Sequence, residues 1–160
     1  MKFLGNILKL IAYDFDGVMT NNKALIFPNG DEAVFVNRSD GLAIEKLNSL
    51  GIIQVIISSE KNPIVLKRAE KLKIPVINGV DNKLEALLKY LSNYNDISLS
   101  HVAFIGNDIN DLEVMLKVGV RISPKDAYEE ILEISDYVTS TKGGDGVVRE
   151  IYSKILEENK

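Results

Sequence analysis

Two aspartates separated by a single residue follow an apolar run near the start of the chain, in Leu10-Ile11-Ala12-Tyr13-Asp14-Phe15-Asp16-Gly17-Val18-Met19-Thr20. Residues two apart on an extended chain point to the same side, so Asp14 and Asp16 at a strand end can face one cleft. Crowded carboxylates repel unless a cation or a shared proton relieves them. Mg²⁺ suits such a site because it takes few carboxylates together with waters and phosphate oxygens. The plainer alternative is a solvated turn, since Asp and Gly are common turn residues. Spacing alone leaves both open. Further along stand Ser58 after a second apolar run, Lys83 after Gly79-Val80-Asp81-Asn82, and the segment Gly106-Asn107-Asp108-Ile109-Asn110-Asp111. A carboxylate pair, a hydroxyl, a cation and an acidic cluster suit metal-assisted phosphoryl transfer, which depends on positioning and charge neutralisation. Each also has a structural reading: Ser58 as a strand-end cap, Lys83 as a solvated helix residue, Gly106–Asp108 as a turn and helix cap. His101, the lone histidine, is read as structural rather than catalytic.

Strand-like and helix-like patterns alternate throughout, and they decide whether these residues can meet. Leu8–Tyr13 reads as the first strand, followed by a β-hairpin over Lys23–Phe27 and Glu32–Asn37 with Asn29-Gly30 suited to a type I′ turn. A helix capped by Ser39 or Asp40 carries Leu42, Ile44, Leu47 and Leu50 on its apolar face and stops at Gly51. Ile52–Ser58 has the β-branched content of a buried parallel strand. Asn62-Pro63 opens a helix through Leu72, Pro75–Ile77 is a short strand, and Asn82 caps a helix striped with Leu84, Leu87, Leu88 and Leu91. His101–Ile105, a helix to Lys117, Val120–Ile122, a helix around Ala127–Ile134, Tyr137–Val138 and a last helix from Val147 complete the series. This order predicts a single α/β domain over 1–160: a three-layer, Rossmann-like parallel sheet with helices on both faces and a small hairpin extension. Sites in such sheets lie beyond the carboxyl ends of the strands, where Asp14, Asp16, Ser58, Lys83, Asn107, Asp108 and nearby Asp111 would gather.

Composition narrows the class. The chain has 160 residues, 46% of them hydrophobic, a net charge of −4 and no cysteine. That length suffices for one sizeable core. The acidic balance argues against a nucleic-acid partner. The lack of cysteine removes disulfides, thiolate nucleophiles and thiolate zinc sites. No apolar run reaches membrane-span length and the start is a poor secretion signal, so a cytoplasmic location is expected.

Taken together, Asp14-Phe-Asp16-Gly-Val-Met-Thr20, Ser58, Lys83 and Gly106-Asn-Asp-Ile-Asn-Asp111 resemble, in order, the four motifs of the haloacid dehalogenase superfamily. The resemblance covers nearly the whole chain. It is closest to the capless branch that dephosphorylates eight- and nine-carbon 2-keto-3-deoxy sugar acid phosphates, the 3-deoxy-D-manno-octulosonate 8-phosphate and nonulosonate (acylneuraminate) 9-phosphate phosphatases. The early hairpin and the tail Lys142-Gly-Gly-Asp-Gly-Val-Val-Arg-Glu150 are similar to that branch. The resemblance implies Asp14 as nucleophile, Asp16 as general acid and base, Ser58 as phosphate ligand and Lys83 as charge neutraliser. It further implies Mg²⁺ on the Asp14 carboxylate, the Asp16 carbonyl and Asn107 or Asp108. Many relatives have Asp-Asp where this chain has Asn107-Asp108; relatives of the sialic-acid type share the Asn. Octulosonate enzymes often carry Gly-Arg after the second motif, whereas this chain has Ser59-Glu60-Lys61, which is more similar to the nonulosonate branch. Ser59, Glu60, Arg68 and Lys71 are therefore the expected sugar-binding residues, with Arg68 or Lys71 pairing the substrate carboxylate. With no inserted cap, the resemblance implies a homotetramer assembled through the Lys23–Asn37 hairpin, with Leu25, Phe27, Val34 and Val36 as its apolar contacts. It also implies that the Gly143–Gly146 tail and Arg149 reach a neighbouring site. The competing expectation is a non-catalytic oligomerisation or regulatory domain like that attached to acylneuraminate cytidylyltransferases. A phospho-receiver domain is disfavoured because Lys83 precedes the Asp108–Asp111 segment, and a phosphomutase because no cap is evident.

Overall fold

The computed structural model describes residues 1–160. A small antiparallel pair, β1 (Lys2–Phe3) and β2 (Asn6–Ile7), opens the chain. It went unforeseen because two-residue strands carry no periodicity. There follow β3 (Leu10–Tyr13), the hairpin β4 (Thr20–Ile26) and β5 (Glu32–Val36), α1 (Arg38–Ser49), β6 (Ile53–Ser58), α2 (Ile64–Leu72) and β7 (Val76–Asn78). The second half contributes α3 (Lys83–Leu91), β8 (Val102–Ile105), α4 (Ile109–Met115), β9 (Val120–Ser123), α5 (Glu129–Ile134), β10 (Tyr137–Val138) and α6 (Val147–Glu158).

Six strands form one parallel sheet in the order β10-β9-β8-β3-β6-β7. From β3 the chain builds outward through β6 and β7, then returns to the other side for β8, β9 and β10. The carboxyl end of β3 is thus the topological switch point, where a crevice opens between diverging connections. Every residue of β3 is buried, and alternation sends its side chains into two separate cores. Ile11 and Tyr13 pack with Ile44, Leu47, Ala69, Ile151 and Ile155 from α1, α2 and α6. Leu10 and Ala12 pack with Leu87, Val114, Met115 and Ile131 from α3, α4 and α5. Truncating one of these aliphatic side chains to Ala removes about 2–5 kcal/mol.

Several local expectations need correction. The cap of α1 is Asn37, whose side chain accepts the Ser39 N–H at 2.9 Å; Ser39 and Asp40 lie inside the first turn. Leu42 and Leu88, read as core, are exposed, because the apolar stripe of each helix is narrower than the run of leucines suggests. The hairpin turn is not type I′, which needs positive φ at both central residues. Only Gly30 has it, at φ +87°, while the Gly30 N–H donates to Phe27 O and Phe27 N–H to Asp31 O. Pro28-Asn29-Gly30 is thus a three-residue loop with glycine at the left-handed bulge position, as Pro at the first turn position favours. His101 accepts the Ser98 N–H through Nδ1 and closes the 3₁₀ turn Leu99–His101, a structural role.

The glycine tail Gly143–Gly146 has a defined place in the fold. It lies against its own chain, over the loop that follows the first two aspartates. The Gly144 N–H donates to Val18 O at 3.0 Å. A Cβ on Gly143 would come within 2.1 Å of Gly17 O. Arg149 donates its N–H to Asp40 and lays its guanidinium 5.7 Å from the Tyr152 ring centre, on the outside of α6. No helix is long and apolar enough to cross a membrane.

Candidate active site

The strand ends deliver the side chains that the motifs promise. Asp14 follows the last residue of β3, and its N–H donates to Ile105 O on β8, so the backbone fixes it at the sheet edge. Ser58 closes β6, Lys83 opens α3 after the Asn82 cap, and Asn107 follows β8 by two residues. Gly106 N–H donates to Ile122 O on β9, which turns the chain so that Asn107 faces β3. Asp14, Asp16, Ser58, Asn107 and Asp108 all line one cleft of about 330 Å³.

Its floor is a buried ion-pair relay. Lys83 Nζ lies 2.8 Å from Asp14 Oδ1 and 2.6 Å from Asp111 Oδ1, and all three side chains are at least nine-tenths buried. Asp111 Oδ2 accepts the Asn107 and Asp108 N–H groups at 2.9 and 3.3 Å, so a fully buried acid orients both the cation and the fourth-motif turn. Asp111 is the residue that sequence reading undervalued. It sat in the quoted motif, and its spacing from Asp108 is that of a helix cap and its capping-box partner three residues on, a signal for this role. Burial, together with the Asp111 charge, pushes Asp14 up to about 7 against the pull of Lys83. Burial draws Lys83 down, but the two carboxylates outweigh it and hold its ammonium above the ordinary range.

Asp16 is half-exposed at the cleft mouth. Burial raises its carboxyl above the usual range; the hydrogen bond that Thr20 Oγ1 donates at 3.1 Å opposes the shift and the Glu60 charge adds to it. A carboxyl shifted upward holds its proton more readily than an ordinary one, which suits a general acid and base. Ser58 is buried, with its Oγ accepting the Glu60 N–H at 3.1 Å, and its hydroxyl proton remains available to a phosphoryl oxygen.

The fit of a divalent cation can be tested on the Asn107 carboxamide. One of its two terminal atoms lies 3.2 Å from Asp14 Oδ2 and 2.8 Å from Asp16 O. With the amide oxygen in that place, its spacings to the other two oxygens are near the ~3 Å edge of an Mg²⁺ octahedron with bonds of about 2.0–2.1 Å. With the nitrogen there, the amide donates to both. No cluster of three acidic or histidine side chains forms a metal cage anywhere in the chain. A site of one carboxylate, one carbonyl and one amide fits Mg²⁺, which keeps several waters. Asp108 stands apart: its Oδ1 caps α4 by accepting the Ile109 N–H at 2.7 Å, on an exposed side chain at the cleft edge.

The rim only partly matches expectation. Ser59 and Glu60 line the cleft, and Asn110 Nδ2 donates to Ser59 Oγ at 3.3 Å. Arg68 and Lys71 do not line it. Arg68 points the other way, donating Nη2 to Asn37 O at 2.9 Å near buried Asp40, and Lys71 is exposed at the far end of α2. Both follow from the direction of α2, whose amino end faces the cleft while these residues lie one and two turns along it. Asn22, Lys23 and Glu32 of the hairpin line the cleft instead, and Asn62 Nδ2 ties Glu32 to the α2 cap at 2.8 Å. Nothing in the hairpin sequence distinguished these residues from solvated strand positions.

Three comparisons bear on this arrangement. The family model described as haloacid dehalogenase-like hydrolase matches residues 42–151, a span that begins after the first aspartate pair. The 3-deoxy-D-manno-octulosonate 8-phosphate phosphatase of Escherichia coli is 33% identical over 150 residues, covering 93% of this chain and 79% of that protein. Among solved structures, a putative haloacid dehalogenase family hydrolase from Streptomyces avermitilis superposes with TM-score 0.90 at 39% identity, covering 95% of this chain and 93% of that one. The 3-deoxy-D-manno-octulosonate 8-phosphate phosphatase of Moraxella catarrhalis, solved with magnesium, phosphate and the sugar acid, superposes with TM-score 0.89 at 36% identity, covering 94% and 86%.

Proposed function

Since the chain belongs to the haloacid dehalogenase-like hydrolases and is a phosphatase of that family, we propose that it hydrolyses the phosphomonoester of a 2-keto-3-deoxy sugar acid through a phosphorylated Asp14. The observation that carries this reading is the Asp14 carboxylate, with one oxygen tied to Lys83 at 2.8 Å and the other facing Asp16 O across the Asn107 amide. Such a carboxylate is fixed, paired with a cation and open to the cleft.

In this reading Asp14 attacks phosphorus while the bond to the sugar oxygen breaks, and Asp16 gives that oxygen its proton. Asp16 then takes a proton from water as the water attacks the aspartyl-phosphate, and inorganic phosphate leaves with Asp14 restored. Ser58 donates to a phosphoryl oxygen. Lys83 keeps Asp14 anionic and balances the charge that collects on the phosphoryl group. Asp14 Oδ2, Asp16 O and Asn107 would hold Mg²⁺, with Asp108 at the edge of the site. Bound there, the ion shields the negative phosphate from the negative nucleophile.

The rim sets the sugar. Glu32 and Glu60 face the cleft with Lys23 as the only cation on its lining, which suits hydroxyl and amide groups better than a second anion. The substrate carboxylate would meet Lys23, or a basic side chain supplied by a neighbouring subunit. A homotetramer built on the hairpin is the assembly we favour. Leu25, Ile26, Phe27 and Phe35 stand exposed there, while Val34 and Val36 pack inward. The mass of the protein in solution checks this.

A phosphate-release panel of octulosonate 8-phosphate and nonulosonate 9-phosphates, with and without Mg²⁺, tests the activity. Turnover of at least one, abolished by chelation, is expected; no turnover of any would overturn the proposed substrate class. We rank the nonulosonate 9-phosphates ahead as substrates because Glu60 stands where octulosonate enzymes often carry Gly-Arg.

A further inference from the structure

Asn107 is the one group on the cleft floor whose chemistry changes when its side chain turns over without changing shape. Its backbone is held on both sides: the N–H donates to Asp111 Oδ2 at 2.9 Å and the carbonyl accepts the Tyr128 N–H at 2.8 Å. Its carboxamide lies close over Gly17, where a Cβ would come within 2.5 Å of Asn107 Cγ. Gly17, at φ +83°, therefore lets the backbone lie directly against the carboxamide. What remains free is a half-turn about Cβ–Cγ, which exchanges oxygen for nitrogen in the same outline.

The two orientations serve opposite conditions. Facing Asp14 Oδ2 and Asp16 O, the nitrogen donates to both, at 3.2 and 2.8 Å. The oxygen in that place completes a three-oxygen face for a divalent cation, but without one it would set three acceptors against each other. Resting on the reading of this cleft as a cation-dependent phosphatase, we propose that Asn107 is a cation-gated amide. Without the ion its nitrogen holds Asp14 and Asp16 in register; with the ion it turns and ligates through oxygen.

An aspartate of the same outline could do only the second of these things. It would add a third buried carboxylate to a floor where Lys83 already answers Asp14 and Asp111. The cation-free site would then repel itself. The loaded site would hold its ion more tightly but meet the phosphoryl group with one positive charge fewer. Asparagine thus exchanges ion affinity for a site that is ordered before the ion arrives and more attractive to a phosphate dianion afterwards.

Side-chain amide resonances of ¹⁵N-labelled protein, with the Asn107 pair identified by its loss in Asn107→Asp, read the turn directly. In chelator both protons should be hydrogen-bonded and slow to exchange; saturating Mg²⁺ should move both signals and speed exchange at least tenfold. Asn107→Asp and Asn107→Ala should both unfold at lower temperature than wild type in chelator. Their Mg²⁺ affinities, read by calorimetry, should move in opposite directions: at least tenfold tighter for Asp and weaker for Ala. Amide signals indifferent to bound Mg²⁺, or an Asp variant as stable as wild type in chelator, would overturn the proposal. None of these three readouts uses turnover, so a failed phosphate-release panel leaves the gate standing, and a failed gate leaves the phosphatase standing.

Discussion

The floor and the rim of the cleft are built by opposite rules. On the floor, Asp14, Lys83 and Asp111 are buried; Lys83 Nζ, Asp14 Oδ1 and both Asp111 oxygens have partners within 2.9 Å, and Asp14 Oδ2 is left facing the Asn107 carboxamide. On the rim, Lys23, Glu32, Ser59 and Glu60 are exposed and held by single contacts or none. Buried charges demand complete pairing, so the floor tolerates little change; exposed charges are nearly free to vary. The difference assigns labour. The floor handles the phosphoryl group that every substrate of the reaction shares, and the rim meets the part that differs.

If that division is right, floor variants scale all substrates alike. Asp14→Asn keeps the outline but removes the nucleophile, and turnover on every member of the panel should fall by about 10³-fold or more. Retained turnover would remove Asp14 from the role. Lys83→Met takes the one cation from between two buried carboxylates. It should cost about 3–5 kcal/mol of stability by urea unfolding, in addition to its loss of activity. A near-neutral result would mean that the relay is far more solvated than its geometry implies.

Rim variants should instead change ratios. Glu60→Arg is expected to alter the relative kcat/KM for octulosonate 8-phosphate and nonulosonate 9-phosphate by roughly 10–100-fold in favour of the eight-carbon acid, the scale of one gained or lost polar contact. An unchanged ratio would end the separation between floor and rim.

The same division explains what the sequence made legible. The sheet, the switch point and the floor were readable because each rests on local chemistry: apolar runs ending in Asp14, Ser58 and Gly106, and a cap at Asn82 before Lys83. Residue type and strand-end position are sufficient there. The rim was not readable, because it depends on where the hairpin folds back and which way α2 points. Arg68 and Lys71 had suitable charge on a suitable helix, yet Arg68 turns to Asn37 O and Lys71 to solvent. Lys23 and Glu32, which had no distinguishing pattern, face the cleft. The glycine tail was recognised, but composition alone did not show that Gly143 packs on Gly17 of its own chain.

A buried acid outside the cleft provides the control for this comparison. Asp40 is 1% exposed, accepts the Arg149 N–H at 3.1 Å through Oδ1, and has no hydrogen-bond partner on Oδ2, whereas Asp111 has one on each oxygen. Burial, only partly offset by that bond and by Arg68, raises its carboxyl from 3.8 to about 6. The folded state therefore binds the Asp40 proton more tightly than the unfolded chain does. Stability from this group is fully present below about 4 and is lost as pH rises through about 6, where burying the charged form becomes costly. Asp40→Asn keeps an oxygen for the Arg149 N–H and removes the charge. It should match wild type within error at pH 4 and exceed it by about 1–3 kcal/mol at pH 7.5, since each tenfold gain in proton affinity is worth at most about 1.4 kcal/mol. Urea unfolding of both proteins across that range, in saturating Mg²⁺, reads the difference while contributions common to both cancel. Turnover should be unchanged, since Asp40 meets no part of the cleft. A variant less stable than wild type at pH 7.5 would mean that Arg68 answers this carboxylate as fully as Lys83 answers Asp111. Burial would then fail to separate a structural acid from a catalytic floor.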